Sequence, residues 1–589
     1  MKSTMKISNA QTNFIINKAI VCFYPLIILL TLSSLQAAPI TVYSVPSLQS
    51  AINNSRTGDI IILANGTYRD NTLNIGKSNI TVSAETPGGV FLNGTNDINI
   101  TGSFITFSGF QFTEGNIGTG YLIELYGRNN LLTQLNFSGY FAKKYIEMKA
   151  GSQYNEVSYC NIEKKPEAAE LGCTIQILTS TTTPGYHKIR YCSFKDFYGL
   201  GGDNGNEPIR IGLGAESLNV SRTVVENCYF NNTGLGDSES VSVKCQENVI
   251  RFCTFTNQQN AMLVFRNGDN NVAYSNFFIN AGGIRVKESN NIYVYNNYFE
   301  NCGDGIQSAP VKYLYDEKSI KNHLNNLNFI HNTFVGGTSI ELGKLITLNN
   351  GGIIVTTFTN NTWANNIFMN TKARIFSEMV TGNSFAGNIY NGTLGISILP
   401  VMTNADPLLV TNADAYQGLS ASSPAINAAS SEYPPILDIA NLNDDPGLLF
   451  DISGQARPST VTSKDVGCDE YTTGAKTNHP LSLSEVGPSY LGGPSLSVNS
   501  KEMIDSHNGI MIFPSLAKKE ITISTSAAIG NVLSVSFYNS IGQKVKMDTD
   551  FQNQGGSQQY DVSDLNNGIY FVKVTSKEFS KTMKLIIQK

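Results

Sequence analysis

One short pattern recurs along the chain and restricts what it can fold into: an apolar residue, two more residues, a Cys or Asn, one residue, and a second apolar residue. It reads VSYCNI at 157–162, IRYCSF at 189–194, VENCYF at 225–230, IRFCTF at 250–255 and AYSNFF at 273–278. It continues as VYNNYF at 294–299, FIHNTF at 329–334, WANNIF at 363–368 and FAGNIY at 385–390. The Cys/Asn positions (160, 192, 228, 253, 276, 297, 332, 366 and 388) have a minimum spacing of 21–25 residues, lengthened in places by insertions. That period belongs to a parallel β-helix whose coils each carry three short strands. A leucine-rich repeat has a similar period, but its Leu-x-x-Leu-x-Leu pattern is missing.

Cys and Asn exchange at this one position because both are small and stack inside the coil, Asn by laddering its amides. Nine cysteines in an exported chain would ordinarily suggest disulfides. The repeat instead predicts that Cys160, Cys192, Cys228 and Cys253 are interior thiols. A charged fraction of only 15% fits a long all-β chain, and the net charge of −5 argues against bulk nucleic-acid binding while leaving room for a local basic groove.

The ends carry their own signals. Lys2, Lys6 and Lys18 precede the apolar run AIVCFYPLIILLTL (19–32) and then SSLQAAP, the order of a secretory signal peptide spanning 1–37. An uncleaved anchor is the alternative, opposed by the shortness of the run and by Pro25. PSLQSAINNSRTGDIIILANGTY (46–68) predicts a short helix capped by Ser47, with Leu48, Ala51 and Ile52 on one face, and then a strand. Such a helix covers the open first coil. The expected fold is an all-β, right-handed parallel β-helix over 38–471 with this N-terminal cap. ADPLL (405–409), SPAI (423–426), DISGQARP (451–458) and DVGCDEY (465–471) resemble the closing segments of such proteins. A Gly/Ser/Pro-rich linker is expected over 472–510 and a small β-sandwich over 511–589. In that last domain FYNSIGQKV, YDVSDLNNGIYFVKV and KTMKLIIQK resemble the type A C-terminal sorting domain of the type IX secretion system. The resemblance implies the type IX machinery as a partner and a secreted or cell-surface, extracellular location after processing. A generic carbohydrate-binding β-sandwich is the alternative.

The Cys/Asn file also serves as a ruler. Lys244 lies 9 residues before Cys253, Arg266 lies 10 before Asn276 and Lys287 lies 10 before Asn297. These cations are therefore expected in one exterior column, about 4.8 Å apart. Arg285 stands two residues from Lys287, on the same side of its strand. Stacked cations repel unless anions offset them, and Asp237 and Glu239 precede Lys244 in its own coil. NGNEPIRIG (204–212) adds Asn204, Glu207 and Arg210 from the coil before. Oxygen donors with none of the five histidines (187, 323, 331, 479, 507) nearby suit a hard cation such as Ca²⁺ and not zinc. Spacing by itself leaves a solvated polar face as an equal alternative. The stretch GDSESVSVKCQEN (236–248) also poses a parity problem. In a straight strand Asp237 and Glu239 face opposite to Lys244, so a corner between Glu239 and Lys244 is expected to reverse the parity.

NGNEPIRIG (204–212), DSESVSVK (237–244), MLVFRNG (262–268) and AGGIRV (281–286), in this order within roughly 40–470, resemble the blocks of polysaccharide lyase family 6. That family contains the alginate lyases and chondroitinase B. The resemblance implies Asn204, Asp237 and Glu239 as calcium ligands, Lys244 as Brønsted base and Arg266 as acid, with Arg210 and Arg285 on the acidic sugar. Glu207 is counted with the ligands, and Asn267 and Lys287 with the substrate contacts. Three positions depart from the family pattern: Asp237 is a shorter first carboxylate, Asn267 stands where His is common, and Ser242-Val243-Lys244-Cys245 replaces Ser-Asn-Lys-Ser.

The expectation is a secreted, calcium-dependent lyase of uronate polysaccharides that leaves unsaturated uronate ends. Alginate is the first substrate and chondroitin or dermatan sulfate the alternative; the protein is expected to be a monomer or weak dimer. The residue types suit β-elimination, in which a very weak carbon acid beside a carboxylate loses its proton. Lysine is a competent base where neighbouring positive charge disfavours its ammonium form. Arginine, whose pKa exceeds about 12, mainly stabilises charge. Two other classes compete. A glycosidase on the same fold would use paired carboxylates without the cation column, and a surface β-helix could bind glycan without turnover.

Overall fold

The computed structural model describes residues 39–495 and 511–587, apart from 168–171, 200–204, 259, 304–308, 315–322, 343–345, 348–352, 355–356, 371–372, 380–381, 398–400, 440–441, 514–515, 518, 526–532, 540–542, 552–555, 567 and 576–579. The signal-peptide segment 1–37, the predicted ligand Asn204 and residues 496–510 of the predicted linker lie outside the described residues.

Among the described residues the chain winds into a parallel β-helix with one sheet of 14 strands and a second of 24. The Cys/Asn file forms one corner of the successive coils from Cys160 to Asn388. Asn276 Nδ2 donates to Asn297 Oδ1 at 3.0 Å, Asn297 to Asn332 at 3.0 Å, Asn332 to Asn366 at 3.0 Å and Asn366 to Asn388 at 2.9 Å. The cysteines continue the file, buried and unbridged: Cys253 N–H donates to Asn276 Oδ1 at 3.0 Å. The residue before each of these positions adopts a left-handed conformation, with φ of 51–55° at Tyr159, Tyr191, Asn227, Phe252, Ser275, Asn296, His331 and Asn365. This is a strained choice for any side chain but Asn. The amide and thiol file behind it supplies the hydrogen bonds that hold the turn.

The apolar residue that ends each motif points inward. Phe194, Phe230, Phe255, Phe278, Phe299, Phe334 and Phe368 stack ring on ring with centroids 4.5–5.2 Å apart, matching the rise of one coil. The open first coil is covered by α1 (Val45–Asn54), which buries Leu48 and Ile52. Its cap is Ser44, not the predicted Ser47; the Ser44 hydroxyl accepts from Ser47 N–H at 3.2 Å. The reason is Pro46, which favours the first helical turn and moves the cap before it.

At the other end, residues 474–493 return along the solenoid. Asn478 donates to Ser275 O at 3.2 Å, Leu481 N–H to Thr254 Oγ1 at 2.8 Å, Gly487 N–H to Tyr191 O at 2.8 Å and Ser489 N–H to Gln134 Oε1 at 2.8 Å. Composition suggests a linker here because Gly, Ser and Pro serve equally in a free segment and in an extended one laid over a sheet. Residues 511–587 form mostly antiparallel strands, with Leu516–Ala517 parallel to Ser580–Ile587, around their own core of Ile521, Val535, Phe537, Tyr560 and Val572.

His187 is fully buried, and its Nδ1 accepts the Asn155 N–H at 3.2 Å. Burial pushes the imidazole from 6.5 down to about 4. The folded protein thus keeps it neutral where the unfolded chain binds a proton. The stability it contributes is complete above pH 6.5 and is lost as pH falls toward about 4. Thermal melts across this window should show a loss of up to about 3 kcal/mol, reduced in His187→Gln.

Candidate active site

The site is built on one face of the larger sheet, from eight consecutive coils: β1 (Tyr121–Leu125), β2 (Lys144–Met148), β3 (Gly172–Ile177), β4 (Asn206–Ile211), β5 (Glu239–Val243), β6 (Met262–Arg266), β7 (Ile284–Lys287) and β8 (Val311–Leu314). Two inward files, Ile146–Ile175–Ile209–Val241–Leu263–Ile284–Val311 and Met148–Ile177–Ile211–Val243–Phe265–Val286–Tyr313, lock the register. The residue between them on each strand faces outward. These form the column Glu124–Glu147–Gln176–Arg210–Ser242–Val264–Arg285–Lys312. One residue past the second inward file stand Lys244, Arg266 and Lys287, with Arg266 paired directly to Lys287. The sequence ruler placed these three in one column, and the register does the same.

The parity problem of β5 is solved inside the strand. Glu239 pairs with Met262 and Val241 with Leu263, so the register slips at Ser240. That single extra residue is a β-bulge. It carries Glu239 to the outer face used by Ser242, whose hydroxyl donates to Glu239 Oε2. The expected corner between Glu239 and Lys244 is therefore a bulge, and Lys244 comes directly after the strand.

Glu207, Asp237 and Glu239 are all buried, and each offers a carboxylate oxygen within 4.8 Å of the others. Glu207 is clasped by Arg210, with Nε–Oε1 at 2.9 Å and a second contact from Nη2 to Oε2. Lys244 Nζ lies 3.7 Å from Glu207 Oε1. Glu239 Oε1 receives Arg285 Nη2 at 2.8 Å and Arg266 Nη1 at 3.4 Å. Burial works to raise the Glu239 carboxyl, but Arg285, Lys244, Ser242 and Arg266 hold it down to about 2.

Asp237 differs. Among the described residues its oxygens accept only the N–H groups of Gly205 (2.6 Å) and Glu239 (2.9 Å). Burial and then the charges of Glu207 and Glu239 push it up to about 8. Three hard oxygen donors, one of them an acid that makes no ion pair among the described residues, fit a divalent metal of the oxygen-loving kind. The two engaged glutamates keep spare lone pairs for it.

The other predicted residues fall around this cluster. Asn267 occupies a left-handed corner (φ 66°), and its amide donates to Glu288 Oε2 at 3.2 Å in the next coil. Lys287 is partly exposed at the end of β7. Arg285 is 3% exposed, and its Nε has no hydrogen-bond partner among the described residues. The glycine pair of AGGIRV lets β7 approach: a Cβ on Gly283 (φ 75°) would meet Pro310 O at 2.2 Å. Sequence reasoning gave no role to Ser242 or Ser238, the latter accepting from Arg285 at 3.3 Å. Both sit in the quoted block, and the bulge brings Glu239 to the face that Ser242 already uses.

Several known proteins are similar to this chain. A family model described as Chondroitinase B matches residues 42–343, and one described as a secretion system C-terminal sorting domain matches residues 511–588. Among solved structures, the PL6 family alginate lyase AlyGC is 23% identical at a TM-score of 0.57, over 68% of this chain and 59% of its own. This chain therefore spans less than two thirds of AlyGC. Alginate lyase AlyF-OU02, solved with G6, is 19% identical at a TM-score of 0.52, covering 65% of this chain and 90% of its own. A PL6 alginate lyase solved with a trisaccharide is 19% identical at a TM-score of 0.51, covering 66% and 93%. No curated protein matches.

The contacts of Glu239 predict unequal costs. Arg285→Met strands a buried carboxylate and should destabilise the protein by about 3–5 kcal/mol. Arg266, 29% exposed and farther away, should cost under about 1 kcal/mol as Arg266→Ala. Denaturant melts of the two variants check this.

Proposed function

Because the chain belongs to the chondroitinase B family, we propose that it is a calcium-dependent lyase cleaving a uronate-containing polysaccharide by β-elimination, with alginate as first substrate. Its sorting domain marks it for secretion or the cell surface by the type IX route. The observation that carries the reading is the meeting of Lys244, Arg266 and Arg285 with three buried carboxylates on one exterior face.

In the elimination, Lys244 takes the proton from C5 of the uronate. The electron pair of that C–H bond forms the C4–C5 double bond, the C4–O bond breaks, and the leaving oxygen takes up a proton. Arg266, the more exposed guanidinium, stabilises charge on the leaving oxygen while the proton comes from the Lys244 ammonium or from water. Arg210 and Arg285 are held rigid by Glu207 and Glu239 and so present fixed positive charge to the acidic sugar. Glu207, Asp237 and Glu239, with Asn204, would hold Ca²⁺, which supplies neutralisation of the substrate carboxylate. Alginate is placed ahead of the sulfated polymers for a reason of charge. Among the described residues the guanidinium groups of the groove (Arg210, Arg266 and Arg285) already face site carboxylates, leaving no separate arginine cluster for a sulfate ester.

The decisive assay offers alginate and dermatan sulfate to the purified protein and tracks the ultraviolet absorbance of unsaturated uronate. Lys244→Ala should lower kcat by about 10²–10⁴-fold while retaining binding. Reducing ends produced without that absorbance would point instead to a glycosidase. Chelation should abolish turnover and Ca²⁺ restore it; insensitivity to chelation removes the metal from the reading. Added Ca²⁺ should also raise the Tm of the wild type, and not that of Asp237→Asn.

A further inference from the structure

The column that holds Lys244 does not begin at Lys244. The inward file Leu125–Met148–Ile177–Ile211–Val243 sets the register of five successive coils. The next residue of each strand is Tyr126, Lys149, Leu178, Gly212 and Lys244 in turn. Backbone bonds stack them: Lys149 N–H donates to Leu125 O at 2.9 Å, Leu178 to Met148 at 2.9 Å, Gly212 to Ile177 at 2.8 Å and Lys244 to Ile211 at 2.7 Å. Leu178 and Gly212 add no charge to this column between Lys149 and Lys244. At about 4.8 Å per coil, Lys149 stands roughly 14 Å and Tyr126 roughly 19 Å from the lysine.

Lys149 and Tyr126 make a feature that the reaction does not need. The Lys149 ammonium bridges Glu124 and Glu147, the latter at 2.5 Å, which uses two of its three N–H groups. It remains 20% exposed on its side chain and lies 5.4 Å from the ring centre of Tyr126 and 5.2 Å from that of Tyr121. Tyr126 is 46% exposed, so its ring face is open to solvent. Tyr121 and Glu124, which Lys149 touches, also form one wall of a cleft of roughly 440 Å³, whose other walls carry Thr72 and Thr95 and the acids Asp70 and Asp97. An aromatic face, a cation with one free N–H and a rim of hydroxyl, amide and carboxylate groups together suit a pyranose ring bearing a carboxylate.

We propose that Tyr126 and Lys149 form a distal uronate subsite, occupied by the same polysaccharide chain that reaches Lys244. The proposal rests on the lyase reading for the identity of the chain. Continuity identifies the occupant: the subsite and Lys244 share one exterior column, and a coil step is close to the length of one sugar in an extended 1,4-linked chain. Charge sets the orientation. Asp70 and Asp97 would repel a carboxylate, so the sugar turns its carboxylate to Lys149 and its hydroxyl edge to the cleft, where Asp70, Asp97 and Glu124 accept hydrogen bonds from the hydroxyls.

The test uses size-defined oligouronates with the wild type, Tyr126→Ala and Tyr126→Phe, each checked for an unchanged Tm. On oligomers of about six or more sugars, Tyr126→Ala should raise KM about tenfold with kcat retained, as expected when an exposed aromatic anchor is removed. Trimers, too short to span about four coils, should show no difference, and Tyr126→Phe should behave as wild type. A loss equal at all lengths, or none at any length, overturns the subsite. Titration calorimetry with the same series separates the two readings. If the wild type binds but cleaves no oligouronate, the lyase reading fails, and the length dependence of Tyr126→Ala binding alone decides the subsite.

Discussion

The solenoid and the site on it depend on the repeat of one coil per strand spacing, and the corner file of Asn and Cys enforces it. An amide at Asn276 is satisfied only if Asn297 sits one coil above it, and Asn297 only if Asn332 does. The phenylalanine stack next to this file imposes the same spacing through ring contact. Two independent interactions, one polar and one apolar, thus demand one register. Buried amides left unpaired would be costly, so a slipped coil is penalised at every level. Cys is admitted to the file because a thiol of similar size can donate weakly to a backbone carbonyl, as Cys253 does to Arg251.

A solenoid held this rigidly becomes a scaffold for charge. Cations repeated along an exterior column would repel, and here each is offset by a carboxylate from a neighbouring coil or its own: Arg210 by Glu207, and Arg285 and Arg266 by Glu239. The balance stops at Asp237, a buried acid that makes no ion pair among the described residues. That imbalance makes the cluster more than a network of ion pairs. It also explains the bulge at Ser240. A regular strand would turn Glu239 inward among Val241 and Val243, where a charged carboxylate has no place.

Much of the fold was legible because it is periodic. The Cys/Asn motif predicted the coils, the interior thiols and the relative placement of Lys244, Arg266 and Lys287, since a constant offset from a repeated mark becomes a column in space. The family resemblance added chemical roles to residues that spacing had only grouped. Illegible were the local irregularities. Ser44 replaced Ser47 as the helix cap because of one proline, and the bulge in GDSESVSVKCQEN has no periodic mark. Residues 474–493 have no repeat of their own, so their path back along the solenoid could not be read from composition.

By itself, then, the sequence determined the architecture, its period and which residues share a coil face, because those arise from patterns that each coil repeats. Only the tertiary structure decided which face Glu239 uses, which acid makes no ion pair and which distant side chains continue the Lys244 column. Each of these depends on contacts between coils 20–36 residues apart, where one inserted residue reverses a side chain's direction. Tyr126 shows the difference most clearly: unremarkable in the sequence, it stands in line with the lysine only because the intervening coils keep register.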